Sequence, residues 1–311
     1  MRYPTRVAPV LAVSLALLAG CQPFNYTAPD APAPLAVVPQ FDPVPRVALV
    51  LGAGGPRGYA HIGVMRVLEA ACIEFDLVVG TSVGSLIGVF WASGLSAVEI
   101  DARSKSGGPL TLFDPSLFAD RGWIHGRKLQ QYVNTELGDL PLEALPRKVV
   151  VVATHRGDKS PRYFLSGNSG VAVRASSAVP GIISPVGIDG VEFEDGDVAA
   201  PLAVSAARDA GAAFVIAVNV YPKPASVPDN ASARARAQVE RRARQVARQA
   251  RDADFVIDAE TPFAAGPRRA FFEAARAAGE RAARARLPAL MTALGAQHPP
   301  HGVRDCAAEP S

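Results

Sequence analysis

The most constraining feature of this sequence is a serine between two glycines, at the junction of two different hydrophobic patterns. The β-branched pair Val78-Val79 runs into Gly80-Thr81-Ser82-Val83-Gly84, and an apolar helical pattern starts at Leu86. This order predicts a strand, a sharp turn and a helix, with glycine on both sides because a side chain there would collide with the strained serine. Ser82 would then stand at a helix N-terminus, where N–H groups favour developing negative charge. An ordinary turn with a capping serine has the same pattern, so a catalytic serine needs partners elsewhere.

A glycine-rich loop follows the first apolar run of strand length. Residues 47–51, VALVL, lead into GAGGPRG at 52–58, and a helical pattern covers residues 59–71. Backbone N–H groups in such a loop bind anions. A nucleotide-binding P-loop would need Gly-Lys-Ser/Thr, which is absent, and a dinucleotide fingerprint would need glycine where Arg57 stands. An oxyanion hole for Ser82 is the interpretation that remains.

Four blocks of the sequence resemble the signature blocks of patatin-like phospholipases. The first three are GGPRGYAHIGV at 54–64, DLVVGTSVGSL at 76–86 and RASSAVPGIISP at 174–185, and the fourth is Asp195-Gly196-Asp197. Four blocks in the right order are far more specific than any one of them. The chain departs from the family at Ala53, where many members have glycine, and at Asp197, which replaces the second glycine of Asp-Gly-Gly. A carboxylate at Asp197 is expected to raise the pKa of its neighbour Asp195.

The resemblance implies a three-layer α/β/α sandwich with a mostly parallel central sheet, and a lipid acyl-ester hydrolase of the phospholipase A, lysophospholipase or esterase type. It implies a Ser-Asp dyad in which Ser82 is the nucleophile, Asp195 is the base and an acyl-serine is the intermediate. The oxyanion hole would be built from backbone N–H groups of Gly54, Gly55, Arg57 and Gly58. The expected substrate is a phospholipid or another acyl ester.

Two observations on the residues agree with that resemblance. A triad in the order Ser, Asp, His would need a histidine after Asp195, and only His298 and His301 follow it, in a proline-rich tail. Predicted strands at residues 149–152 and 214–220 alternate with helical patterns, which is typical of a doubly wound α/β fold. No His-Glu-x-x-His or Cys-x-x-Cys pattern occurs, so we predict neither a catalytic metal nor a cofactor.

The N-terminal region predicts export and a lipid anchor. Residues 1–20 carry two arginines before a short apolar run, as in a signal peptide. Residues 18–21, LAGC, resemble a bacterial lipobox, which makes Cys21 the lipidation site and membrane anchor. Gln22 after it implies the outer membrane, with the protein facing the periplasm. A plain secretory signal, with Cys21 an ordinary thiol, is the alternative.

Composition divides the rest of the chain. Residues 21–45 are rich in proline and alanine and are predicted to form an unfolded tether, residues 46–295 the hydrolase domain, and residues 296–311 a disordered tail. Removal of the signal peptide lowers the formal net charge from +3 to +1, which argues against a nucleic-acid partner.

Three questions stay open at the level of sequence. Residues 103–126 combine apolar side chains with glycine and proline, so they form either a cap over the active site or a loop on the core. The arginine-rich helix predicted over 231–253 either meets anionic lipid headgroups or is a solvated helix laid on the domain. The rival to an enzyme is a catalytically weak, membrane-anchored lipoprotein that acts as a binding or scaffold module.

Overall fold

The structure, a computed structural model, describes residues 25–27, 31–107 and 112–297. Within these residues one ten-stranded sheet forms the centre of the molecule. Its strands are β1 (Asn25–Tyr26), β2 (Pro34–Leu35), β3 (Val47–Leu51), β4 (Leu77–Thr81), β5 (Lys148–His155), β6 (Pro161–Phe164), β7 (Val186–Ile188), β8 (Val191–Asp195), β9 (Phe214–Asn219) and β10 (Phe255–Asp258).

Helices connect these strands and cover both faces of the sheet. In the described part of the chain they are α1 (Tyr59–Ala70), α2 (Val83–Ala92), α3 (Ala97–Gly107), α4 (Arg127–Leu137), α5 (Ser169–Ser176), α6 (Val204–Asp209), α7 (Ala233–Gln249) and α8 (Arg269–Gln297). The strands predicted near residues 149–152 and 214–220 and the helix predicted over 59–71 lie where the sequence patterns put them. We found no helix among the described residues with the length and apolar character needed to cross a bilayer.

The central sheet is mostly parallel. Strands β5, β4, β3, β9 and β10 lie side by side in that order and all run in one direction. Antiparallel pairing is confined to one end of the sheet, where β6 and β8 pair with β5 and β7 pairs with β8. Every residue of β3 and β4 is buried, as expected for parallel strands covered on both faces.

Alternate side chains of the central strands enter two separate cores. Leu49 and Leu51 of β3 pack on the side that carries α1, α2, α4, α5 and α8. Ala48 and Val50 pack on the opposite side, against α6 and Val246 of α7. This alternation follows from the two-residue period of a strand. The expected three-layer α/β/α sandwich is confirmed.

The last helix closes one face of the domain. Helix α8 crosses α1 so closely that a Cβ on Gly279 would lie 2.0 Å from the main-chain oxygen of Ala60. At its start, the ring of Phe272 stacks on Tyr59 with ring centroids 4.4 Å apart. The helix continues through Gln297, two residues beyond the predicted domain end, and the rest of the predicted tail lies outside the described residues.

The proline-rich segment before β3 is packed on the domain. β2 pairs with β6, the side chain of Val38 is buried, and the Phe41 N–H donates to the Ala210 oxygen at 3.1 Å. Further upstream, β1 pairs with β7. The predicted tether over 21–45 is therefore wrong for the residues described there, because apolar residues spaced among the prolines find sheet edges and pockets to occupy. The predicted signal peptide, residues 1–20, and Cys21 lie outside the described residues.

Candidate active site

Ser82 occupies a strained turn between β4 and α2. Its backbone has φ 55° and ψ −122°, a conformation that side-chain-bearing residues rarely adopt. The turn is tight because a Cβ on Gly80 would lie 2.4 Å from the Gly84 oxygen, and one on Gly84 would lie 2.2 Å from the Leu51 oxygen. The predicted strand, sharp turn and helix are present, and both flanking glycines are needed for space.

The structure brings Ser82 and Asp195 into direct contact. The Ser82 hydroxyl donates to Asp195 Oδ2 at 2.8 Å, and both side chains are buried. Strand β5 produces this contact, because Thr81 at the end of β4 pairs with Val152 and Asp195 at the end of β8 pairs with Ala153. Strand β6 occupies the other edge of β5 over the same residues, so β4 and β8 meet end to end along one edge.

The carboxyl group of Asp195 is held in one orientation. Besides the Ser82 hydroxyl on Oδ2, Oδ1 accepts the Asp197 N–H at 2.8 Å, and the Thr154 hydroxyl donates to the Asp195 main-chain oxygen at 2.8 Å. Burial, and after it the negative charge of Asp197, raise the pKa of Asp195 above the usual range of a carboxyl group. The predicted effect of Asp197 has the expected direction, although burial contributes more.

Asp197 belongs to a charged cluster whose other members, Tyr221 and Arg242, were not predicted from the sequence. Its two carboxylate oxygens accept hydrogen bonds from the Tyr221 hydroxyl and from the Arg242 guanidinium, and Arg242 also donates to the Asp197 main-chain oxygen at 2.7 Å. Arg242 comes from α7, three residues after Val239 and four before Val246. A charged residue inside the apolar stripe of a helix points toward the domain, and this was the signal in the sequence that could have identified Arg242. The positive charge of Arg242 offsets the carboxylate beside Asp195.

The glycine-rich loop lies against the serine turn and leaves two N–H groups available. In the described residues, the N–H groups of Gly54 and Gly55 have no backbone acceptor. Arg57 donates its N–H to the Gly54 oxygen at 3.2 Å, and Gly58 lies inside the same 3₁₀ turn, whose i to i+3 bonds use its N–H. Gly54 and Gly55 are therefore the stronger candidates among the four predicted oxyanion-hole residues, and the assignment of Arg57 and Gly58 stays a prediction.

A residue of the third block, Ser176, holds the backbone of Ser82 by a hydrogen bond. The Ser82 N–H donates to the Ser176 hydroxyl at 2.8 Å, and that hydroxyl donates in turn to the Val152 oxygen at 2.5 Å. This chain of bonds ties the nucleophile's backbone to β5, the strand that also positions the base. Ser176 sits inside the block recognised in the sequence, but nothing in the sequence assigned it this contact.

His61 orders the glycine-rich loop. Its Nε2 lies 2.7 Å from the Gly52 oxygen, and burial lowers the pKa of His61 to about 4, so the ring is neutral and Nε2 donates. None of the described residues that line the cleft at Ser82 is a histidine. No three His, Cys, Asp or Glu side chains in the described ranges are grouped as metal ligands.

A cleft of about 440 Å³ opens beside Ser82. Its walls are largely apolar and come from the glycine-rich loop, the third block, the Asp197 cluster, α7 and the segment after β10. The lining residues are Ala53, Gly54, Gly55, Pro56, Arg57, Ser82, Val179, Pro180, Ile182, Asp195, Asp197, Val198, Tyr221, Pro222, Ala235, Gln238, Val239, Arg242 and Phe263. A serine bonded to a buried carboxyl, unpaired N–H groups and apolar walls together suit attack on an acyl carbonyl.

Of the two segments whose roles the sequence left open, the arginine-rich helix borders this cleft and the described part of residues 103–126 does not line it. Helix α7 forms one wall, with Arg242 turned inward, while Arg234 and Arg241 are exposed. In residues 112–126 none of the side chains lines the cleft, so the cap interpretation finds no support in that part of the segment.

Comparisons with known proteins agree with this geometry. A family model described as patatin-like phospholipase matches residues 49–208. Uncharacterized NTE family proteins of Mycobacterium bovis and Mycobacterium tuberculosis are 36% identical over 191 residues, which is 61% of this chain and 53% of theirs. Lysophospholipase nte1 of Aspergillus fumigatus is 32% identical over 189 residues, covering 59% of this chain and 12% of that protein.

A crystal structure of VipD from Legionella pneumophila aligns with a TM-score of 0.46 at 13% identity, over 81% of this chain and 66% of that one. The chain thus spans about half the length of the mycobacterial relatives and a small part of the fungal one. The family model, in contrast, covers half of the chain and contains both Ser82 and Asp195. The chain therefore belongs to the patatin-like phospholipase family.

Proposed function

We propose that this protein hydrolyses acyl esters of lipids with Ser82 as nucleophile and Asp195 as general base. The observation that carries the proposal is the 2.8 Å hydrogen bond from the Ser82 hydroxyl to a buried carboxyl group at the floor of an apolar cleft. Membership of the family and the name of the fungal relatives, lysophospholipase, support a lipid ester as substrate.

In the first half of the reaction Asp195 Oδ2 takes the hydroxyl proton as Ser82 Oγ bonds to the acyl carbon. The carbonyl electrons move onto oxygen, and the resulting oxyanion accepts hydrogen bonds from the N–H groups of Gly54 and Gly55. A well-placed donor of this kind lowers such a barrier by roughly 3 kcal/mol. The tetrahedral intermediate then collapses, and the departing alkoxide takes the proton held by Asp195.

The second half releases the acyl group. A water molecule gives a proton to Asp195 and attacks the acyl carbon, and the same two N–H groups hold the second oxyanion. Collapse expels Ser82 Oγ, which recovers its proton from Asp195, and the fatty acid leaves. The raised pKa of Asp195 suits this cycle because a stronger base takes the serine proton more readily once it is ionised.

The apolar walls of the cleft provide room for an acyl chain. Val179 and Pro180 of the third block, Val239 of α7 and Phe263 all line the cleft. Side chains of this type bury hydrocarbon and offer no hydrogen bonds that a polar substrate would need. The cleft therefore favours an ester with an extended apolar acyl group over a small polar ester.

We also propose that the protein is an exported lipoprotein, attached through Cys21 to the outer membrane and facing the periplasm. The signal-like residues 1–20 and the lipobox-like sequence carry this part of the proposal. Cys72 is disulfide-bonded, which is typical of proteins in an oxidising compartment.

A fluorophosphonate probe tests the catalytic proposal, because an activated serine displaces its fluoride and becomes covalently labelled. The full chain should be labelled, whereas Ser82→Ala and Asp195→Asn should lose labelling while keeping a cooperative thermal transition. Asp229→Asn, at an exposed carboxyl, serves as the matched control and should label like the wild type. Separate, unlabelled samples of the same proteins are assayed on lysophospholipids, diacyl phospholipids and a soluble short-chain ester.

Two outcomes would contradict the proposal. A folded wild type that takes up no probe would favour a binding or scaffold lipoprotein over a hydrolase. Labelling that survives in Ser82→Ala would place the reactive serine elsewhere in the chain.

A further inference from the structure

An apolar hairpin stands out from the domain surface between α3 and α4. We use this name for residues 115–124, in which Pro115 and Ile124 form a bridge and the Ser116 N–H donates to the Trp123 oxygen at 2.9 Å. Its tip exposes Leu117 fully and Phe118 by 88%, and Trp123 is 55% exposed. Turns on a solvated surface normally carry polar residues, so large apolar side chains here mark a contact surface.

The apolar hairpin adjoins the rim of the active-site cleft. The N–H groups of Trp123 and Ile124 both donate to the Ile182 oxygen, each at 3.0 Å. Ile182 lines the cleft and is itself partly exposed. Ile182 therefore joins the hairpin to the opening that leads to Ser82.

Strand β1 places the start of the chain beside the same hairpin. The buried Arg174 joins the two, because its guanidinium donates to the Tyr26 hydroxyl at 2.6 Å and to the His125 oxygen at 2.8 Å. Cys21 precedes Asn25 by four residues, and four residues span at most about 14 Å. A lipid on Cys21 would hold this side of the domain against the membrane.

Charges on the hairpin are compensated locally. Arg121 pairs with the neighbouring Asp120 and with Glu192 of β8, and Glu192 also accepts a hydrogen bond from Arg156 at 3.0 Å. The hairpin thus offers hydrocarbon and aromatic rings to a partner and little unpaired charge. Leucine, phenylalanine and tryptophan are the residue types that enter the boundary between headgroups and acyl chains.

We propose that the apolar hairpin and Ile182 dock the protein on a phospholipid bilayer, so that the cleft opens onto the leaflet that contains its substrate. This inference rests on the proposed lipid hydrolase function. It commits to a bilayer as the partner, because the hairpin, the cleft opening and the end of the short N-terminal connection share one side of the molecule. Substrate would then pass from the leaflet to Ser82 along apolar surface.

Trp123 supplies the signal for a binding test. The chain contains two tryptophans, and Trp91 is buried, so a change at the surface is reported by Trp123. Residues 22–311 keep the whole described fold and lack the proposed signal and lipid, so binding depends on the protein surface alone. On titration with phosphatidylethanolamine/phosphatidylglycerol vesicles we expect the emission to shift to the blue and acrylamide quenching to fall.

The matched variants are Leu117→Ser/Phe118→Ser at the hairpin tip and Val98→Ser on α3, where the valine is 60% exposed and away from the hairpin. Loss of two inserted side chains should weaken vesicle binding by about tenfold or more. The Val98 variant should bind like the parent. Equal binding by all three proteins, or an equal loss in the Val98 variant, would overturn the proposal.

Hydrolysis separates this inference from the proposed function. The hairpin variant should lose activity on vesicle phospholipid while keeping its rate on a soluble short-chain ester. Vesicle binding is also measured with Ser82→Ala, because binding does not depend on turnover. Binding without hydrolysis of any ester would refute the proposed function and support the docking surface. Hydrolysis without hairpin-dependent binding would refute the docking surface and support the proposed function.

Discussion

Replacing Asp195 with asparagine should make the protein progressively more stable than the wild type as the pH rises. The Asp195 carboxyl is buried and accepts hydrogen bonds from the Ser82 hydroxyl and the Asp197 N–H, each at 2.8 Å. Asparagine keeps both bonds, because its oxygen accepts the Asp197 N–H and its amide donates to the Ser82 oxygen. The substitution thus removes a buried titrating group with little change of shape.

The sign of the stability change with pH depends on whether the folded or the unfolded state binds the Asp195 proton more tightly. Burial, and then the charge of Asp197, raise the pKa of Asp195 in the folded protein to about 8, whereas an unfolded aspartate titrates at about 3.9. The folded state keeps a proton that the unfolded chain releases, so stability present at low pH is lost as the pH rises from about 4 to the folded-state pKa. Each pH unit in that window costs about 1.4 kcal/mol, or about 2.7 kcal/mol from pH 5 to pH 7.

Thermal unfolding measures this difference. For a chain of this size the gain from pH 5 to pH 7 corresponds to roughly 5 °C in the Tm difference between Asp195→Asn and the wild type. Asp229→Asn, at an exposed carboxyl, should stay within about 1 °C of the wild type at every pH. A Tm difference that is constant, or that shrinks as the pH rises, would refute the argument that Asp195 carries an uncompensated burial cost.

Three further substitutions test the strain, the packing and the charge of the site. Ser82→Gly should be about 1 kcal/mol more stable to denaturant than Ser82→Ala, because both lack the hydroxyl and only glycine accepts φ 55° without strain; equal stabilities would contradict this. Gly84→Ala should cost about 2–3 kcal/mol, since its Cβ would lie 2.2 Å from the Leu51 oxygen, and a loss well below 1 kcal/mol would mean that the turn relaxes. Arg242→Gln should move the acidic limb of the pH–rate profile upward, because its positive charge lowers the pKa of Asp195. The exposed neighbour Arg241→Gln should leave that limb in place, and equal shifts would indicate a general effect of surface charge.

The serine turn was predictable because its signals are local. Glycine at 80 and 84, β-branched residues before and a helical pattern after Ser82 each act over a few residues. Asp195 lies 113 positions away, and no local pattern distinguishes it from an ordinary Asp-Gly turn. Only the resemblance of four ordered blocks linked the two, because their contact depends on which strands pair with β5.

The features that the sequence did not reveal depend on packing. Proline content suggested a tether, but the docking residues Leu35, Val38 and Phe41 recur at every third position, a spacing that fits one face of a polyproline-like segment. The 3₁₀ turn that uses the Arg57 N–H begins at Gly55 and has Pro56 as its second residue, and proline near the start of a helical turn was a usable signal. The sequence does not distinguish Arg242 from the other arginines of α7, because only the structure shows that its side chain points into the site.

Strand β5 has a consequence for how such a protein can diversify. The nucleophile follows the last residue of β4 and the base ends β8, and these two strand ends pair with adjacent residues of β5, Val152 and Ala153. Their separation is therefore independent of the length of the connections between them. Loops in these connections that do not touch Ser82, Asp195 or Ser176 can therefore change in length without altering the reactive pair, which makes them suitable sites for grafts that change substrate range.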